Sequence, residues 1–539
     1  MNRTLLGLGI IVVASCSSNT ANSGAGDAGS DVATAPPTAA CAQPNPLRGT
    51  TDDLMENIET VADNGFENGT SVPTTDPGVG AKIERRADAA HTGNFGYRVD
   101  ASAATYFEVE PHVDKGDTNV FSVWVRSRSG TTQPRLVMRF PGSNSKMQEV
   151  MSDAVDVGDA WTQLTLTYST TTDLESARVG IKVPQDATVD VDDISAKAPW
   201  FKWVSYPTGG RTVGSLTVPE KPRALTHFAV LIHIEDGSML PKGTEYFAQK
   251  SEVFEAIANI MKSHGGYLTI QPEREWALGA NAAAARDGST NVLKKLADTY
   301  NVHYSTHTHG PACVEENGTT HNGDECKGHS EWTSNPITPA AVAAYALERK
   351  QIIEAASGTK VTDHNGNFDA ADWGPLAQAG FTTMSAYKDH TTQRMLKEVF
   401  NNPWRVSNVD GIKDPTGFEK HNPSGPMIYV PGVGQSVPRY HPYVPEYVSR
   451  AISQFVAFAD PERVNTLYVV LHVDHYASTT GLRPDVYMTS DEFKNDIGVL
   501  DTLLTNTVDP LVNAGYLKWS SLADTGQAFS DWERSCGAK

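Results

Sequence analysis

Long apolar runs are scarce in this 539-residue chain. Beyond the first twenty residues, no stretch approaches the roughly 20 consecutive apolar residues needed to cross a bilayer. Positive charge is also scarce: 44 Lys and Arg stand against 64 Asp and Glu, for a net charge of −20. Phosphate binding needs concentrated positive charge, and no Lys/Arg block appears, which argues against a nucleic-acid partner. There are only five cysteines, and none has the CxxC spacing of a structural zinc site. With 39% hydrophobic and 20% charged residues, the remaining composition is that of a globular protein. The length suits two or three domains, each able to bury a sizeable core.

The N-terminus carries a processing signal. Arg3 supplies a short positive region, and Leu5 to Ala14 form an apolar stretch of signal-peptide length that is too short to span a membrane. It ends in Val13-Ala14-Ser15-Cys16, which resembles the lipobox of bacterial lipoproteins. That resemblance marks 1–16 as a lipoprotein signal segment and implies cleavage just before Cys16, a lipid on the Cys16 thiol, and a membrane contact made through that lipid only. Ser17 follows the cysteine instead of the Asp that holds lipoproteins at an inner membrane, so an outer-membrane or cell-surface location is expected. Cys41, Cys313, Cys326 and Cys536 then remain, an even number in an oxidising compartment. Cys313 and Cys326 bracket a short, Gly-rich polar segment, where a disulfide would stabilise by roughly 3 kcal/mol. Cys41 with Cys536 is the other candidate pair.

Residues 17–53 are rich in Ser, Thr, Ala, Gly, Asp and Pro and read as a disordered tether. From 54 to 197 the pattern is all-β. Phe121, Val123 and Val125 alternate with Ser122, Trp124 and Arg126, and further strand-like runs occur at 161–168, 177–183 and 188–194. Turn residues separate these runs, as in a sandwich. From 198 to 539 the texture changes. The runs 228–232 and 467–471 read as strands buried on both faces, and helical stretches are expected at 251–264, 291–300, 339–356 and 446–459. Strands alternating with helices imply a mainly parallel sheet or barrel, and about 340 residues fit one α/β barrel with insertions.

In the β region, Asn64-Gly65-Phe66-Glu67, His91 to Val99, Phe121 to Val125, Trp161 to Leu164 and Val191-Asp192-Asp193-Ile194 follow in order. The succession resembles the jelly-roll carbohydrate-binding modules of the cellulose- and xylan-binding type, and it implies a polysaccharide partner. Sugars present apolar C–H faces that stack on aromatic rings, so Trp124 is a candidate platform. Trp161 is expected to pack in the core. By the same resemblance, Glu67 and Asp193 are hard oxygen ligands for a structural Ca²⁺.

Four later segments carry possible chemistry. His233-Ile234-Glu235-Asp236-Gly237 follows the buried run 228–232, at the end of a strand where barrel enzymes build their sites. In Thr306-His307-Thr308-His309, an extended chain turns both imidazoles to one side, within reach of one metal. Two His and one carboxylate leave a coordination position open for water. Asp363-His364-Asn365-Gly366 and Leu471-His472-Val473-Asp474-His475 complete the set. This order resembles the polysaccharide deacetylases, the carbohydrate esterases built on a distorted (β/α)₇ barrel. The resemblance implies Zn²⁺ or another divalent transition metal on Asp236, His307 and His309, with Glu235 as base and His472, steadied by Asp474, as general acid. It also implies groove contacts from His364 and Asn365, and Trp332 is a candidate sugar-stacking group in the insertion at 311–338.

The chain departs from that family in places. Glu235 stands where the family has Asp, and His-x-His replaces His-x-x-x-His, so His303 with His307, or a ligand from His321 or His329, stays open. The expected activity is removal of N- or O-linked acetyl groups from an extracellular polysaccharide. The alternatives are a glycosidase using Glu235 and Asp474 as paired carboxylates, and a non-catalytic glycan-binding surface protein.

Overall fold

The structure is a computed structural model that describes residues 43–536 apart from several stretches, chiefly 68–80, 110–117, 170–177, 234–243, 322–332, 386–397, 433–443 and 473–488. Among the described residues, no helix is long and apolar enough to cross a membrane.

Alternation of apolar and polar residues produces two antiparallel sheets in the N-terminal part. The larger sheet runs in the order Ala81–Arg86, Gly96–Ala101, Ala187–Phe201, Thr118–Ser127, Thr162–Ser169, and Met55–Glu59 pairs with the far end of Ala187–Phe201. The smaller runs Thr105–Val109, Arg178–Val183, Arg135–Pro141, Met147–Met151. Phe121, Val123 and Val125 are fully buried and meet Phe107, Met138, Val179 and Ile181 from the opposite sheet. The strand Ala187–Phe201 slips register between Asp192 and Ser195, where Asp193 takes a left-handed backbone (φ 48°).

Two boundaries differ from expectation. Pro46–Thr50, read as tether, pairs antiparallel with Glu398–Phe400. Backbone pairing needs no apolar side chains, which is why composition missed it. The strand Ala187–Phe201 also runs through the expected boundary at 197, and Phe201 belongs to the core of the C-terminal part. There Arg450 ties the two parts together, bonding Glu56 at 2.6 Å and the Phe201 carbonyl at 3.2 Å.

The C-terminal part is α/β. Parallel ladders connect Asn465–His472, Thr226–His233, Leu268–Gln271, His303–Tyr304 continuing as Thr306–Thr308, Asp363–Gly366, Thr383–Ser385 and Ile428–Val430, in that spatial order. The runs expected as buried strands pair with each other, Phe228 opposite Leu467 and Ile232 opposite Leu471. No ladder joins Ile428–Val430 to Asn465–His472 among the described residues.

Helices Thr244–Ser263, Val292–Tyr300, Pro339–Ser357 and Val444–Ala457 overlap the four expected stretches, the first beginning well before 251. Asn291 caps the second, its side chain accepting from Leu293 N at 2.9 Å. One sheet face packs on these helices through Phe228, Val230, Ile232, Leu268 and Ile270. The other, through Ala229, Leu231, Tyr468 and Val470, receives Leu522 and Phe529 of the last helix, Leu522–Cys536. Cys536 is disulfide-bonded. Cys16, Cys41, Cys326 and the side chain of Cys313 lie outside the described residues.

Candidate functional site

Parallel strands share one carboxyl end, and His233, Gln271, His307, Asn365, Ser385 and His472 all stand at it. His233 lies in register with Gln271 and His472, while His307 is level with Asn365 and Asn365 with Ser385. Glu235 and Asp236 follow His233 by two and three residues, His309 follows His307 by two, and Asp474 follows His472 by two. These four, with Trp332, His329 and the side chains of His472 and His321, lie outside the described residues. The backbone of His321 pairs with Cys313 in a small three-stranded sheet, Thr320–His321, Cys313–Val314, Thr333–Ser334, inside the insertion.

His307 is buried, and its Nδ1 lies 2.8 Å from Asn365 Oδ1. Asn365 Nδ2 in turn donates to Ser385 Oγ at 2.9 Å. All three side chains share a sheet face with Ser305 and Asp363, residues two away along their strands. Gln271 Nε2 donates to Ser305 Oγ at 3.2 Å, and that hydroxyl donates to the Asp363 carbonyl at 3.1 Å. The interior of the sheet's carboxyl half is therefore polar. Burial lifts the Asp363 carboxyl to about 7, against the hydrogen bond from Ser305.

Three expectations need correction. His364 is fully buried on the opposite face, its Nδ1 2.7 Å from Thr306 Oγ1 and its ring edge-on to Phe381. Burial, with the charges of His307 and Arg349, lowers its pKa to about 3, so it is a neutral packing group and not a groove contact. Asn365 is likewise buried and engaged with His307 and Ser385, which removes it from substrate contact. His303 cannot pair with His307 on one metal, because a helix would bring residues four apart together but here the chain is extended and separates them by about 13 Å. His303 instead meets Tyr267 edge-on, and burial lowers its pKa against the pull of Asp524. Among the described residues, no group of three or more His, Cys, Asp or Glu could hold a metal.

In the sandwich, Trp124 does share an outer face with Ser122 and Arg126, but it is not open. His91 stacks on it at 4.1 Å and 15° between planes, with Trp161 edge-on to His91 at 5.1 Å. Trp161, expected in the core, is half-buried in this outer layer, under the Arg126 guanidinium at 4.6 Å.

The segment 91–95 is held there by the two residues read as calcium ligands. Glu67 accepts from Asn94 N at 2.7 Å, Phe95 N at 3.0 Å and Asn94 Nδ2 at 3.0 Å. The Phe95 and Asn94 hydrogen bonds keep its pKa below the ordinary value. Asp193 meets His91 Nδ1 and accepts from Thr92 Oγ1, both at 2.7 Å. Both oxygens of Glu67 and both of Asp193 are thus engaged in holding this segment.

The other sheet presents what the sequence reading missed. On its outer face, Tyr106 pairs across the ladder with Lys182, and its hydroxyl donates to Glu149. Lys182 bonds the same carboxylate at 3.0 Å. The Arg139 guanidinium lies 4.0 Å over the Tyr106 ring and reaches Glu108 at 3.2 Å. Burial pushes the Glu149 pKa up, but hydrogen bonds from Tyr106 and Lys182 outweigh it and leave the pKa lowered. Glu108 and Arg139 form a buried floor, Tyr106 and Lys182 a half-exposed rim with the exposed Glu149. The parity of Tyr106 against Phe107 was the available signal.

Comparison with known proteins fits the sandwich. Residues 59–188 match a family model described as a carbohydrate binding domain. Similar solved structures include a xylan-binding domain of Paenibacillus barcinonensis Xyn10C, at 18% identity and TM-score 0.24, over 27% of this chain and 96% of that one. Another is the C-terminal family 22 carbohydrate binding module of Clostridium thermocellum Xyn10B, at 17% identity and TM-score 0.23, over 25% of this chain and 95% of that one. A search of the curated proteins finds no match.

Proposed function

We propose that this chain is an extracytoplasmic hydrolase, anchored by lipid on Cys16, that holds a polysaccharide on its sandwich and removes acetyl groups at a metal site. The site lies at the carboxyl ends of the parallel strands, which close into a barrel. One observation carries the reading: His307 is buried at that shared end with Nδ1 engaged by Asn365, one strand removed from the strand that leads into Glu235 and Asp236.

Asp236, His307 and His309 would hold the metal, and their set of one carboxylate and two imidazoles fits Zn²⁺. When bound, it supplies Lewis acidity toward an acyl carbonyl and lowers the pKa of a water. Glu235 takes the proton of the attacking water, and His472, steadied by Asp474, returns a proton to the departing amine or alcohol. A backbone N–H beside the carbonyl steadies the developing oxyanion. Trp332, in the insertion pinned by a Cys313–Cys326 disulfide, stacks on the sugar.

Acetate release and new reducing ends, measured together on acetylated polysaccharides, test the activity. Acetate without reducing ends is expected. Reducing ends would transfer the site to a glycosidase, and neither product would leave a binding protein.

The sugar-binding face is tested separately. Tyr106→Ala is expected to weaken binding to soluble polysaccharide about tenfold, the loss of ~1.4 kcal/mol. Trp124→Ala, which uncovers His91 instead of a sugar platform, should change affinity less than threefold. The reverse order in affinity electrophoresis would move the binding face to the larger sheet.

A further inference from the structure

His307, Asn365 and Ser385 come from three adjacent parallel strands and stand level with one another. Asn365 and Ser385 are fully buried and His307 is 5% exposed. The amide is oriented at its far end: Asn365 Nδ2 donates to Ser385 Oγ, which turns Oδ1 toward the imidazole. A carbonyl oxygen carries no hydrogen, so in the 2.8 Å contact the hydrogen must sit on His307 Nδ1. A neutral imidazole in water prefers the other tautomer, with hydrogen on Nε2. The strand pair therefore reverses the intrinsic preference and leaves the lone pair on Nε2.

We infer that Asn365, braced by Ser385, is the positioning residue of His307, fixing the Nδ1–H tautomer so that Nε2 is the donor nitrogen. The use made of Nε2 rests on the metal-site reading above; the tautomer does not. Ligating histidines commonly give their second N–H to an outer partner that fixes ring and tautomer, often a carboxylate. An amide does the same orienting work without adding a negative charge to a site where Glu235 and Asp236 already follow the strand two places away. Parity along the chain keeps the neighbouring pair out of this role, since Thr306 and His364 bond each other on the opposite face.

The test is nitrogen-15 NMR of the imidazoles in the metal-free full chain, with His307 identified by its loss in His307→Gln. The expected spectrum has a protonated Nδ1 and an unprotonated Nε2 for His307. Asn365→Ala should move the hydrogen to Nε2 and weaken Zn²⁺ binding, read by chelator competition, by about 10- to 100-fold. Asn365→Asp, which keeps an acceptor at that place, should retain the tautomer. Should Asn365→Ala fail to fold, Ser385→Ala releases the other end of the amide and should show the tautomer change in part. An Nε2–H signal in the unaltered protein overturns the inference, as does Asn365→Ala with tautomer and Zn²⁺ affinity unchanged. If the unaltered chain binds no Zn²⁺ yet its Nδ1–H tautomer depends on Asn365, the positioning role holds and the metal site is what fails.

Discussion

His307→Ala should retain no stoichiometric metal after dialysis and release acetate only at the background rate, with its polysaccharide affinity unchanged. The effect is large because, on the proposed site, one of three protein ligands is lost and Asp236 and His309 alone would not define it. The fold should survive. Removing the imidazole deprives the buried Asn365 Oδ1 of its donor, which costs about 1–3 kcal/mol, and the sandwich keeps a core of its own. His303→Gln is the matched control. It lies on the same stretch of chain but at the opposite end of the strand, so metal content and turnover should stay at parent levels. Metal content read by elemental analysis, beside acetate release, checks both variants. A His307→Ala protein with full metal and turnover would exclude His307 from the site.

Asp363→Asn should raise the thermal unfolding midpoint at pH 8 by several degrees and flatten a pH dependence that the parent shows. Asp363 is 3% exposed, and burial lifts its carboxyl from 3.8 to about 7, with Ser305 pulling it down and Asp524 adding to the rise. Between about pH 4 and pH 7 the folded chain therefore holds a proton that the unfolded chain has released. Stability falls as pH rises through that window and is level above it. At pH 8 the parent folds around a buried carboxylate, and a rise of that size is worth on the order of 4 kcal/mol. The amide has the same shape, carries no charge and brings N–H donors. Gln271 Oε1, buried without a hydrogen-bond partner among the described residues, belongs to the side chain whose amide nitrogen bonds Ser305, and Ser305 in turn bonds the Asp363 carbonyl. Calorimetry at pH 5 and pH 8 decides: a gain no larger at pH 8 than at pH 5 would show that Asp363 is not the titrating group.

Legibility followed the range of the interactions. Alternation at Phe121, Val123 and Val125 and the continuous run at 228–232 reveal burial because each reports on its own strand, and both are buried as read. The helix at 292–300 announces itself through its Asn291 cap. The imidazole of His307 was visible as chemistry, but its partner was not. Asn365 lies 58 residues on, and only the order of parallel strands brings the two side by side. His364, its neighbour, shows the complementary failure. A His-Asn pair in a polar stretch reads as a groove contact, and nothing local says that strand parity buries the first and aims the second at His307.

Trp124 failed for a similar reason. Its outward parity was correct, yet its cover is His91, held back over the sheet by Glu67, Asp192 and Asp193 from distant parts of the chain. Tyr106 has the same alternation as Trp124. What covers each outward aromatic, His91 over Trp124 and Arg139 over Tyr106, comes from distant parts of the chain, and sequence periodicity carries no information about that.

The most direct measurement is anomalous diffraction from crystals of the full chain grown or soaked with Zn²⁺. The account predicts one strong peak at the carboxyl ends of the parallel strands, about 2.0–2.1 Å from His307 Nε2 and about 2.0–2.2 Å from an Asp236 oxygen. A peak elsewhere, or Asp236 turned away from a His307 that binds nothing, would contradict it and leave the sandwich as the only supported site.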